Sequence, residues 1–384
     1  MEQQNEKIQE AVESFRQEML DFWKELIDFQ AGSKERERMQ ALMEKVSAYL
    51  EQQGMESELV ESGAVPLIRA WSGKGREGQP ILLSGHLDTV FPNGSYPENP
   101  FTIKEGKAYG PGVCDMKGGI VMAVYLAKVL EKIGYDRHPI KLLFVPDEEI
   151  THQGSRADRL LAEEAQGCLC AFNLETGRMD NCLTVGRKGC MDVWITVHGK
   201  AGHVGNAYAS SANAIEEMAH KVIALRALTD LDKGRIVSTD IISGGTVSNA
   251  VADTCRIEVD CRYDYNEDKD ALQEAIRAVC AETHVPGTRT EVEFPAFMPV
   301  FERTEGNDRL LALVNQAAAE FGIPAFGAAH PGGCSDASFM AQAGIPILDS
   351  VGVQGDGAHT LQEYAIVETM FERTMLLAAA ICRL

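Results

Sequence analysis

Five short segments of this chain set histidine or carboxylate side chains where they could grip a cation. ILLSGHLDTV reads as a buried strand running into His86 and Asp88, and two-residue alternation puts both on one side of the chain. An imidazole backed by a carboxylate is how proteins orient a metal-binding histidine, although an H-x-D pair also serves as a core hydrogen bond. YGPGVCDMKGG places Asp115 in a glycine-rich turn ahead of a helix, where glycine permits unusual backbone angles and close approach. IKLLFVPDEEI ends a hydrophobic strand in Asp147, Glu148 and Glu149. Adjacent carboxylates repel unless a cation or solvent separates them, and open α/β sheets bind ligands at the carboxyl ends of their strands. CAFNLETG repeats the design with Glu175, and GDGAHT puts Asp356 and His359 in a loop before the last helix.

Taken singly, each segment has a plain explanation as a solvated loop or a structural hydrogen bond; recurring at strand ends, they form a combined signal. Oxygen and nitrogen donors without thiolate suggest zinc, manganese or cobalt in a catalytic rather than a structural site. Competing chemistries are poorer. The chain has no H-E-x-x-H and no G-x-x-x-x-G-K-[ST] to cradle phosphates, and Gly333-Cys334-Ser335-Asp336-Ala337 only half resembles G-x-S-x-G.

The elements that must position these residues can be read from periodicity. Apolar residues at helical spacing (Ile8, Phe15, Met19, Phe22, Trp23, Leu26, Ile27, then Leu42, Val46, Leu50) predict two helices before Gly54. Aliphatic runs then alternate with helical stretches: 80–84, 118–133, 140–145, 160–165 and 171–174. That alternation predicts an α/β sheet layered by helices. From Arg187 the order becomes strand 191–198, helix 211–228, strands 236–243 and 254–263, helix 269–282 and strand 290–294, the split ferredoxin-like β-α-β-β-α-β pattern. After Arg303 the α/β texture resumes with a helix over 307–321, short strands near Ile323 and over 345–350, and a last helix over 365–382. The expectation is a catalytic domain of residues 1–186 and 301–384 interrupted by an inserted domain of residues 187–300.

At 384 residues the chain exceeds the usual single core. With 45% hydrophobic and 24% charged residues it has a globular enzyme's composition. Its 36 basic against 57 acidic residues, a net charge of −21, argue against nucleic acid or an anionic membrane as partner; the excess serves solubility and is compatible with cation binding. The polar, acidic start lacks the basic and apolar regions of an export signal, and no apolar run approaches the ~20 residues of a membrane span. Ten scattered cysteines without a C-x-x-C pair fit reduced thiols in a cytoplasm, and none is assigned a role.

SGHLDTV, GxGxxDMKGG, DEE, a later strand-end Glu and a late His, in this order, resemble the M20 metallopeptidases, nearest to the glutamate carboxypeptidase pattern, with aminoacylase, succinyl-diaminopimelate desuccinylase and acetylornithine deacetylase as relatives. The resemblance runs from about Leu26 to the end. It implies a zinc-peptidase-like α/β catalytic domain with an inserted ferredoxin-like α+β dimerisation (lid) domain, a homodimer, and two divalent metal ions, zinc or else manganese or cobalt. It also implies that His86, Asp115 and Glu175 hold one metal and that Glu149, His359 and the bridging Asp115 hold the other. Asp88 would orient His86, and Glu148 would be the general base that takes a proton from a metal-bridging water and passes it to the leaving nitrogen. In the inserted domain His203, from GKAGHVG, resembles the histidine that stabilises the oxyanion from a partner subunit. Asn249 in SGGTVSNAV, Arg262 in VDCRY, and the pair Gly332 and Gly333 resemble substrate-binding residues.

The pattern departs at one place. Phe294 precedes Pro295-Ala296-Phe297 where glutamate carboxypeptidase has an arginine, so a preference for glutamate does not follow. The expected activity is cleavage of an amide or peptide bond beside a free carboxylate, on dipeptides, folate-like compounds or N-acyl amino acids. Alternatives are a deacylase of N-acyl amino acids and a non-catalytic metal- or ligand-binding relic. A relic has no need of a base at Glu148, and a nucleotide-dependent enzyme would need the missing phosphate-binding lysine motif.

Overall fold

The computed structural model describes residues 2–384. The chain divides into two compact units, Met1–Gly186 with Arg303–Pro331 and Ser335–Leu384, and Arg187–Glu302 with Gly332–Cys334.

The first unit is built on a six-stranded sheet in the order Glu56–Val60, Leu67–Ser72, Ile140–Val145, Ile81–His86, Cys170–Asn173, Ile347–Leu348. Its central strands are apolar and buried along their whole length, as strands covered on both faces must be. Ile81–His86 runs parallel to both neighbours, with His86 opposite Val145 and Ser84 opposite Asn173. These registers bring His86, the turn after Val145 and the segment after Asn173 out at one edge of the sheet. The helix Lys117–Lys132 is buried on nearly every side. Its close fit requires glycine, since a side chain at Gly119 would run into the Leu174 carbonyl. Glu2–Asp28 and Arg36–Gln52 bury Ile8, Met19, Trp23, Leu26, Leu42 and Leu50, the stripe expected from spacing.

A second sheet, in the order Gly355–Asp356, Tyr364–Ile366, Lys107–Tyr109, Thr102–Lys104, was not evident from periodicity. Its strands have two or three residues each, too short to show alternation. This sheet lays the turn after Tyr109, which carries Asp115, beside the loop between Asp356 and Tyr364, which carries His359. It also corrects the start of the last helix, which begins at Val367 because Tyr364–Ile366 is paired as strand. The strand expected near Ile323 does not form. Pro324 follows without an N–H to donate, and pairing starts instead at Gly327–Ala329, parallel to Cys182–Thr184.

The second unit has the spatial strand order Ile236–Gly244, Thr254–Tyr263, Gly189–His198, Arg289–Glu293, all neighbours antiparallel, with helices Ala214–Arg226 and Asn266–Ala281. Strict alternation along Gly189–His198 and Thr254–Tyr263 sends Met191, Val193, Ile195, Ile257, Val259 and Cys261 into one core under the helices. Among the described residues no helix is long and apolar enough to cross a membrane.

Candidate metal centre

Asp115 stands at the middle of the site. Its Oδ1 lies 3.2 Å from His86 Nε2 and its Oδ2 3.2 Å from His359 Nε2, so one carboxylate offers an oxygen to each imidazole. Glu175 Oε1 is 3.6 Å from His86 Nε2, and Glu149 Oε2 is 3.0 Å from His359 Nε2. Donor atoms of His86, Asp115 and Glu149 also lie within 4.8 Å of one another.

The loops that deliver these groups are locally constrained. Gly112 has φ +73° in the turn leading to Asp115, where a side chain would strain the backbone. His359 itself sits at φ +64°, a left-handed conformation that costs of order 1–3 kcal/mol in a residue with a side chain and is typical of functional loops. Glu363, which sequence patterning did not single out, is buried and accepts the backbone N–H of Gly112 at 2.9 Å, Cys114 at 2.8 Å and Asp115 at 3.1 Å. Burial and the nearby Asp115 push its carboxyl up to about 7. The buried Lys117 Nζ has no hydrogen-bond partner among the described residues, and burial pulls it down to about 8.

Asp88 ties the parts together. It is fully buried, accepts from Ser33 Oγ at 2.6 Å and from the backbone N–H of Glu148 and Glu149 at 3.2 Å each, and lies 3.3 Å from His86 Nδ1. Glu148 follows in a short 3-10 turn. Its carboxylate makes no hydrogen bond or ion pair among the described residues. Burial first, then Asp336, Glu175 and Glu149, hold it well above the usual carboxylate range, opposed by His86. A second support was also missed in the sequence: His152 bridges Asp147 (Nδ1, 2.8 Å) and Asp336 (Nε2, 2.7 Å), fixing the far end of the same turn.

Does this donor set suit metal ions? Five carboxylates (Asp88, Asp115, Glu148, Glu149, Glu175) face two imidazoles, and the excess of negative charge shows in Glu149 and both histidines. Burial raises Glu149. His359 is pushed up to about 10 by hydrogen bonds to Asp115 and Glu149. His86, though burial opposes it, is held well above normal by Asp115 and Asp88. Such a cluster is short of positive charge, which divalent ions would supply while taking both histidines as neutral ligands. The residues therefore fit the group.

The other five residues singled out in the sequence lie in the second unit. His203 is exposed on a two-residue strand pairing with Ala250–Val251, its Nδ1 accepting from Gly205 N–H at 3.1 Å, and the Asn249 carbonyl accepts from Val204 N–H at 3.1 Å. Arg262 is already engaged. Its Nε and Nη2 fork onto Asp260 at 2.7 Å each, leaving Nη1 at 3.5 Å from the Gly332 carbonyl, while the Gly333 carbonyl accepts from Arg187 at 3.1 Å. A free bidentate arginine is thus not what the fold presents. Asp260 and Arg262 alternate onto the same face of one strand, which is why they meet.

The fold and its donor cluster define a metallohydrolase of the α/β type. The model of peptidase family M20/M25/M40 matches residues 82–383, and the chain belongs to this family. It is 31% identical over 312 residues to carboxypeptidase G2 of Pseudomonas sp., covering 80% of this chain and 74% of that one. Succinyl-diaminopimelate desuccinylase of a Bradyrhizobium species is 26% identical over 346 residues, covering 84% and 88%. Among solved structures, aminopeptidase PepT of Bacillus cereus superposes with a TM-score of 0.78 at 22% identity, covering 95% of this chain and 98% of that one. An M20 family metallo-carboxypeptidase of Sulfolobus solfataricus gives the same TM-score and coverage at 15% identity. The chain is a metal-dependent hydrolase of amide or peptide bonds.

Proposed function

We propose that the chain works as a homodimeric two-zinc hydrolase that cleaves an amide beside a free carboxylate, in the cytoplasm, where its free cysteines stay reduced. The observation that carries the two-ion reading is Asp115, whose two oxygens face His86 and His359 separately. His86, Asp115 and Glu175 would hold one ion and Asp115, Glu149 and His359 the other; manganese or cobalt suits the same donors. When bound, the ions supply Lewis-acid polarisation and acidify water.

The chain's own groups do the rest. Glu148, with a carboxyl held above the usual carboxylate range by burial and free of hydrogen-bond partners among the described residues, takes a proton from the attacking water and delivers it to the leaving nitrogen. Asp88 orients His86 and holds the Glu148 turn. His203, exposed and close to Asn249, stabilises the oxyanion from the partner subunit, and Asn249 and the Gly332-Gly333 pair line the substrate. Dimerisation is supported by the edge strand Ile236–Gly244, where Ile241 and Ile242 are exposed, and by exposed Ile215 and Ile223 on the helix packed against it. An uncovered apolar sheet edge invites pairing.

Carboxylate recognition falls to Arg262 through Nη1 alone, since its other face is held by Asp260. A hydrogen bond from a charged group is worth ~1.5–3 kcal/mol, and one-ended contact puts the loss near the lower bound, roughly tenfold in kcat/KM. The test compares substrates with a free α-carboxylate against the same compounds capped as amides, across dipeptides and N-acyl amino acids, with zinc-, manganese- and cobalt-loaded protein. Wild type should prefer the free acid and Arg262→Ala should erase most of that preference at unchanged metal content. Equal cleavage of the capped compound by wild type would remove carboxylate recognition from the reading.

A second reading, deacylation of N-acyl amino acids, is favoured by a cavity of about 250 Å³ beside Glu149, lined by Val90, Pro92 and Ile150 with Lys34 at its rim. It has room for a short acyl chain, and the exposed Lys34 is suited to an anionic end. Faster turnover of short N-acyl amino acids than of any dipeptide in the same panel would select this reading.

A further inference from the structure

Two cysteines remote in sequence meet in the second unit. On the paired strands Gly189–His198 and Thr254–Tyr263, Cys190 stands directly opposite Arg262, so the two side chains share one face of the sheet. Arg262 Nη1 lies 3.2 Å from Cys334 Sγ, and the Cys334 thiol donates to the Lys188 carbonyl at 3.4 Å. Both cysteines thus stand beside one guanidinium, and Cys334 heads the influences that raise the Cys190 thiol. Both are partly exposed, whereas six of the chain's ten cysteines are buried.

We propose that Cys190 and Cys334 form an oxidisable dithiol, which a hydroperoxide converts to a disulfide that fastens the Gly332–Cys334 segment to the sheet beside Arg262. Cys334, in contact with the guanidinium, which favours a thiolate, is the attacking sulfur. Its thiolate attacks the outer peroxide oxygen; the S–O bond forms as the O–O bond breaks, and the alcohol or water leaves with a proton. Cys190 then attacks the sulfenic sulfur, the S–S bond forms, and hydroxide departs as water with the Cys190 proton. Two thiols and one hydroperoxide give a disulfide, an alcohol or water, and water: the sulfurs lose two electrons and the peroxide gains them. The disulfide requires the two sulfurs to close to about 2.05 Å. The segment can follow, because Cys334 is preceded by two glycines whose Cβ positions meet no atom closer than 3.9 Å.

The consequence for catalysis rests on the substrate roles proposed for Arg262, Gly332 and Gly333. The disulfide draws the Cys334 sulfur toward Cys190 and away from Nη1 and pins the glycine pair, so KM changes while kcat, set at the metal centre, stays.

The chemistry is tested on the metal-loaded protein with one equivalent of hydrogen peroxide, followed by alkylation, digestion without reductant and mass spectrometry. A single Cys190–Cys334 cross-linked peptide pair should appear, two hydrogens lighter than the reduced peptides and released by dithiothreitol. Cys190→Ser should abolish it and leave on Cys334 a sulfenic acid that a 1,3-dione traps. Recovery of both cysteines alkylated, or pairing of either with one of the other eight of the ten cysteines, overturns the proposal. A cross-link formed with KM unchanged upholds the dithiol and removes Arg262 and the glycine pair from substrate binding, so the two readings fail separately.

Discussion

The backbone N–H of Glu148 donates to Asp88 Oδ1 at 3.2 Å, so the carboxylate that leans on His86 also holds the turn bearing the proposed base. One buried side chain thereby sets the geometry of a proposed ligand and of the proposed base together. Asp88→Ala should lower metal affinity and turnover in the same variant, each by roughly 10–100-fold, the range for groups that support a metal ligand. Metal titration with a competing chelator and steady-state kinetics check this. A variant with wild-type affinity and slowed turnover would show that Asp88 serves the Glu148 turn alone.

Base and ligands are separable. Glu148→Gln should cut kcat by at least ~10²-fold with metal content unchanged. His359→Ala should reduce bound metal as well as rate. The imidazole side chain is 57% exposed, so removing it leaves no cavity in the core and any loss of metal is a direct effect. Elemental analysis decides: full stoichiometry in His359→Ala would take it off the ligand set.

Assembly can be tested by mixing. If His203 acts across a dimer, inactive His203→Ala subunits combined with inactive Glu148→Gln subunits restore part of the activity, because one hybrid site then carries both groups intact. No recovery after verified subunit exchange would confine His203 to its own chain or to no role.

The second unit carries its own pH sensitivity. Glu217 and Lys221 are fully buried, 2.9 Å apart, and Glu217 also accepts the backbone N–H of His284 at 2.9 Å and Val285 at 2.7 Å. Burial alone would raise the Glu217 carboxyl, but Lys221 and the two amides outweigh it and hold it below its ordinary value. A folded value below the unfolded one means a stabilisation that is complete above pH ~4.3 and lost as pH falls through the folded value. Glu217→Gln should therefore be less stable than wild type at pH 7, by about 3–5 kcal/mol for a broken buried pair, with the gap narrowing in acid. Calorimetry between pH 7 and pH 3 measures it; a constant gap would mean that Glu217 is not ionised in the fold.

The candidate donors that the fold gathers were legible because they recur at strand ends: apolar runs stop in His86, in Asp147-Glu148-Glu149 and before Glu175. The supports were not. Glu363 sits in LQEYA, an unremarkable polar stretch, and only the folded chain reveals the three amides it accepts. His152 and Asp336 touch across most of the chain, and no local spacing encodes that contact. The Asp260–Arg262 fork lies within reach of simple alternation, since residues two apart on one strand share a face. The two-residue strands around Asp356 and Tyr364 fall below the length at which any period can be counted.

The small sheet that sets the Asp115 turn against the His359 loop joins an early part of the chain to a late one, with the whole second unit synthesised between them. A chain still on the ribosome can carry His86, Glu149 and Glu175 but has neither the second imidazole nor Glu363, which shapes the turn of the shared carboxylate. Domains fold largely in the order of synthesis, so the two imidazoles can come together only after the second unit has been made.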